Sequence, residues 1–134
     1  MKSLRRRFGR FSLVGFMGAA LQLTLLSLLT TRLGVLNIVA TPVAVEIAIL
    51  HNFIWHERFT WSHRSPLNSR QITMRLWRFH AGNGLVSLAG NTILIYCLAE
   101  KLKLPALPAA MGAIAVCSVA NFLLADLWVY RRVP

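Results

Sequence analysis

Of the chain's 134 residues, 56% are apolar and 14% charged, with a net charge of +11. Soluble domains carry about a quarter charged residues, and a mean hydropathy of +0.56 points instead to the bilayer as solvent. A pI near 11.5 is compatible with nucleic acid, but such a module spreads its basic side chains over a soluble core that this composition does not supply.

The first ten residues hold Lys2, Arg5, Arg6, Arg7 and Arg10 and run into an apolar stretch. That stretch continues for about 20 residues without a small-residue cleavage site, so it reads as a retained membrane helix rather than a signal peptide. Four segments have the length and apolarity of a span: 11–31, 38–57, 79–99 and 107–128. Arg32-Leu33-Gly34 closes the first and Glu100 to Pro105 the third, while a polar stretch from Ser62 to Arg75 separates the halves. Pro42 and Pro108 stand near the starts of spans two and four, where a missing N–H costs little.

Twelve of the 15 Lys and Arg residues fall at the N-terminus, in the 58–78 region and at the C-terminus; Arg32, Lys101 and Lys103 lie on the other face. The positive-inside rule then places both termini and the central loop in the cytoplasm, and the bias makes any homodimer parallel. Trp55, Trp61, Trp77, Trp128 and Tyr130 crowd that boundary as an aromatic belt would. Cys97 and Cys117 fall in apolar runs and read as packing residues.

An internal repeat is present. Arg7-x-x-Arg10-Phe11 matches Arg75-x-x-Arg78-Phe79 at a spacing of 68, and Asn52-Phe53-Ile54-x-x-Glu57-x-Phe59 matches Asn121-Phe122-Leu123-x-x-Asp126-x-Trp128 at 69. A one-residue difference in the outer loop would reconcile the two. The fold expected is therefore all-α and integral to the membrane: four transmembrane helices as two parallel-repeat two-helix units, N-in and C-in. The single domain 1–134 comprises repeat 1 (7–61), a cytoplasmic loop (62–74) and repeat 2 (75–130).

Polar groups at membrane depth are costly and each needs a partner or a role. On span three, at about 100° per residue, His80, Asn83, Gly84, Ser87 and Asn91 share one face. The matching face of span one carries Gly15, Gly18 and Gln22. Such a stripe either hydrogen-bonds between helices or lines a groove for a hydroxyl-rich headgroup. Asn52 and Asn121, one per repeat, fit both accounts. Glu46, near the middle of span two, is the candidate for proton coupling. His51 and His56, five residues apart, make a poor metal pair, and no metal site or cofactor is expected. Arg10 and Arg78, at the mouths of spans one and three, are the pair suited to a phosphate.

With an Arg-Phe opening each half, Val14-Gly15 in the first span and an Asn-Phe motif running to Thr60-Trp61 and Val129-Tyr130, the chain resembles the GtrA-like family of small bacterial membrane proteins over nearly its whole length. The resemblance implies a role in moving a polyprenyl-phosphate-linked monosaccharide from the cytoplasmic to the outer leaflet of the bacterial inner membrane, in cell-surface polysaccharide synthesis or modification. Glu57 and Asp126 stand where the family's commoner motif has a basic residue, which speaks against a phosphate contact at those positions. On this reading Arg10 and Arg78 receive the phosphate, and Gln22, Asn52, Asn83, Ser87, Asn91 and Asn121 face the sugar. No nucleophile elbow, P-loop or metal cluster marks an enzyme. The alternatives are a non-transporting membrane partner that anchors a glycosyltransferase, and a small drug exporter; the charge bias speaks against the exporter, since such proteins often pair antiparallel.

Overall fold

The computed structural model describes residues 2–64 and 68–131. All regular structure among them is helical. Helix α1 (Lys2–Ser27) ends in a π-helical turn, Leu28–Arg32, and α2 (Asn37–Trp55) ends in another, His56–Thr60, before a short 3-10 turn, Ser62–Arg64. Helix α3 (Ser69–Leu85) leads through a π turn, Val86–Gly90, into α4 (Asn91–Ile95), which finishes in a further π turn, Tyr96–Lys101. Helix α5 (Ala106–Leu124) closes with Ala125–Val129. The chain divides into two compact units, Met1–Ser65 and Pro66–Pro134.

Among the described residues three helices are long and apolar enough to cross a membrane: Leu4–Arg32, Asn37–Thr60 and Met111–Val129. Large apolar side chains stand on their outer faces, with Phe16 at 76% and Ile38 at 82% exposure, a surface that water would not tolerate and lipid does. The chain is a multi-pass membrane protein. The expected third span, 79–99, is helical throughout, but its ladder is interrupted at Val86–Gly90.

In the first unit α2 lays Ala40, Ala44 and Ala48 along one face, at the four-residue spacing that lines up side chains on a helix, and Val14 and Gly18 of α1 are buried in the same unit. Small residues let the two backbones approach closely. The second unit uses Ala109, Ala113 and Cys117 of α5 in the same way, with Phe79 and Gly82 of α3. Ala109 and Ala113, spaced like a dimer face, are wholly buried within the chain. Cys117 is a packing residue, whereas Cys97 is exposed. Pro42 also departs from expectation. Because α2 starts at Asn37, Pro42 lies beyond the first turn and deprives the Ile38 carbonyl of its usual donor. Pro108, the third residue of α5, does sit in a first turn.

Local bonding recurs between the units 69 residues apart. Leu33 N–H donates to Leu28 O and Val35 N–H to Leu29 O; Leu102 N–H donates to Cys97 O and Leu104 N–H to Leu98 O. Each of these closures turns on a left-handed residue, Gly34 (φ 65°) in one unit and Lys103 (φ 55°) in the other. The connections are thus built alike, so the extra residue of the second repeat is not in the outer loop. It lies before Cys97 and after Phe79, the stretch that holds the π turn Val86–Gly90. A π turn is how a helix absorbs one inserted residue, and α1 carries no counterpart before its own last turn.

Candidate functional site

Helix C-termini leave carbonyls without intrahelical donors, and an arginine meets that need in each unit. Arg10 of α1 donates from Nη1 to Phe59 O at 2.9 Å and lies over the Phe59 ring, 4.6 Å from its centroid. Arg78 of α3 repeats the arrangement more loosely, reaching Trp128 O at 3.5 Å with its guanidinium 5.8 Å from the Trp128 ring. Both put a cation at the negative end of a helix, where the macrodipole favours it. Each therefore holds a helix end together, and its remaining N–H groups are what it can offer to a ligand.

Beneath Arg10 the first unit encloses an aromatic cage. Phe11 stacks on His56 at 4.8 Å and 9°, Trp61 meets the His56 ring edge-on at 5.2 Å, and His56 Nδ1 lies 3.0 Å from Thr60 Oγ1. Trp61 and Tyr130, expected in an interfacial belt, are wholly buried; each plugs the end of its own helix pair. Trp77, at 64% exposure, is placed as a belt residue would be. The second unit has no histidine in its cage: Ala125 and Val129 replace His56 and Thr60, and Arg75 lies over Tyr130 at 5.5 Å. Arg75 and Asp126 are the buried charges among the described residues, of opposite sign and in one unit.

The expected headgroup residues divide. Asn52 rests its amide against Gly18, so closely that a β-carbon there would collide with it, and its Oδ1 is 3.3 Å from His51 Nδ1. Asn121 donates from Nδ2 to Ser87 Oγ at 3.2 Å, while its buried Oδ1 has no hydrogen-bond partner. Both asparagines span a helix pair, each within its own unit. Beside Ser87 the Cys117 thiol donates to Val86 O at 3.6 Å, a carbonyl of the π turn. Gln22 and Asn83 are half-buried, and His80 Nδ1 lies 3.2 Å from Leu76 O. Glu46 is exposed on α2. The Asn91 side chain lies outside the described residues. Among the described residues no three His, Cys, Asp or Glu side chains converge as a metal site.

One feature escaped sequence reasoning. At the other end of α1 an open depression of about 520 Å³ is lined by Leu23, Thr24, Ser27, Leu28, Thr31 and Arg32. Threonine and serine in an apolar helix give no periodic signal, because they satisfy themselves on the backbone: Thr24 Oγ1 donates to Ala20 O and Thr31 Oγ1 to Ser27 O.

The family model described as GtrA/DPMS, transmembrane domain, matches residues 10–130. Comparison with curated proteins returned no match.

Proposed function

Since the chain belongs to the GtrA/DPMS transmembrane-domain family, we propose that it assists translocation of a polyprenyl-phosphate-linked monosaccharide from the cytoplasmic to the outer leaflet. It does so without catalysis, in the bacterial inner membrane, serving cell-surface polysaccharide synthesis. The match over 10–130 carries this reading, because it takes in both units and every residue proposed to meet the substrate. The reading takes the chain as four spans with both termini inside, the orientation the Lys and Arg bias favours, so that Arg10 and Arg78 stand on the face where the headgroup starts.

In this scheme Arg10 and Arg78 meet the phosphate with the N–H groups not spent on Phe59 O and Trp128 O. The half-buried Gln22, Asn83 and Ser87 meet sugar hydroxyls, and the orphaned Asn121 Oδ1 accepts from one. Asn52 and Asn91 belong to the same proposed path, and Glu46 is the group proposed for proton coupling. The test is reconstitution of the purified chain with such a lipid: faster leaflet transfer is expected, and transfer no faster than in empty vesicles would overturn the reading.

A second reading is favoured by one observation, that Asn52, Asn121 and both mouth arginines are already engaged in holding helices together. On it the chain is a non-transporting partner that anchors a glycosyltransferase on its basic face. Arginine substitutions would then abolish co-purification of the enzyme while Asn83 and Asn91 substitutions did nothing. Translocation demands that the latter slow transfer.

A further inference from the structure

Resting on the translocation reading, we infer that the depression at the far end of α1 takes the headgroup of a phosphate-bearing lipid on the face opposite Arg10, as the place from which the moved lipid is released. Its lining is chemically divided. Leu23 and Leu28 are exposed apolar side chains beside a row of hydroxyls, and the row ends at Arg32. An apolar chain, a hydroxylated group and an anion would each find a match there.

The state of the hydroxyls sharpens this. Thr24 and Thr31 have donated their protons to Ala20 O and Ser27 O, at 2.8 and 2.6 Å, so each oxygen is left as an acceptor. Two acceptors cannot bind phosphate oxygens, but they can receive sugar O–H groups. Arg32 supplies what they lack, several N–H donors in the fork that suits a phosphate bidentately. A bare phosphate would use Arg32 alone; a sugar linked through phosphate to an apolar chain uses the whole row.

The second unit does not repeat the site. With the one-residue insertion counted, the residues equivalent to Thr24, Ser27, Thr31 and Arg32 are Ile93, Tyr96, Glu100 and Lys101. A carboxylate beside the cation would repel phosphate, and the threonine acceptors are gone. The duplicated helix pair thus carries the site once.

The test is photocapture on the full chain in phosphatidylcholine nanodiscs, with a benzophenone amino acid replacing Leu28 and a tritiated polyprenyl monophosphate as probe. Capture is expected to be competed by unlabelled polyprenyl monophosphate and not by the matching polyprenol or by inorganic phosphate. Arg32→Gln should raise the lipid concentration for half-capture about tenfold, the scale of one charge-assisted contact. Arg32 is exposed, so the variant is expected to fold. Thr31→Val should weaken competition by a glycosylated polyprenyl phosphate while leaving the bare phosphate unchanged. Capture insensitive to Arg32→Gln, or competed equally by polyprenol, would show a merely lipid-facing groove and overturn the inference; equal competition by inorganic phosphate would overturn the lipid assignment. Capture needs no transport step. Arg32-dependent capture in a chain that moves no lipid would retire the translocation reading alone, and transfer without such capture would retire this site alone.

Discussion

Gly15 and Gly18 stand one helical turn apart on α1, yet alanine should have opposite effects at the two. A β-carbon at Gly15 meets no atom within 4 Å, whereas one at Gly18 overlaps the Asn52 amide. Glycine to alanine in a helix gains about 1 kcal/mol in backbone terms, and that gain should appear nearly whole for Gly15→Ala. At Gly18 the same gain is offset by overpacking of about 1–3 kcal/mol, because Asn52 must rotate off α1 or the helices must part. The two variants should therefore differ by about 1–3 kcal/mol in unfolding free energy, measured by steric trapping in bicelles. Pairing Gly18→Ala with Asn52→Ala removes the obstacle. The double variant should recover most of the overpacking loss, so the cycle should show a coupling of about 1–2 kcal/mol. Equal stability of the two alanine variants, or strictly additive losses in the cycle, would refute the close approach of Asn52 to Gly18.

Other outcomes follow from the same contacts. Arg10→Gln should destabilise by about 1.5–3 kcal/mol, and Arg78→Gln by less, since the Arg78 bond is longer and its ring contact looser; thermal unfolding in detergent ranks the two. Lys103→Gly should stabilise by about 1 kcal/mol by relieving a left-handed lysine, and Gly34→Ala should lose a similar amount, both readable by the same melt. Arg75→Gln should destabilise by about 1–2 kcal/mol through loss of the guanidinium over the Tyr130 ring, read by the same melt.

Much of this was legible in the sequence because it depends on pattern. The Arg-Phe and Asn-Phe pairs fixed which residues correspond, and those are the residues that form equivalent contacts in the two units: Arg10 with Phe59, Arg78 with Trp128. What stayed hidden depends on the third dimension or on backbone irregularity. Hydropathy cannot separate a tryptophan at the lipid boundary from one that plugs a helix pair, so Trp61 and Tyr130 read as belt residues. The step from 68 to 69 was visible as a number, but nothing in one sequence says whether a loop or a helix takes up the extra residue. Thr24 and Thr31 left no trace because hydroxyls satisfied on their own helix look like ordinary helix.

The π turn at Val86–Gly90 has a consequence for which lengths of chain this fold will accept. Deleting a residue from the middle of a regular helix swings everything beyond it by about 100° and moves it about 1.5 Å, enough to wreck a packed pair. Here the surplus residue is already bulged out, so deleting Ala89 should let α3 and α4 close into one unbroken α-helix with Phe79 and Lys103 still in register for α5. The second unit would then match the first in length as well as in its contacts, and its tolerance of the loss would mark the bulge as a place where a residue can come and go.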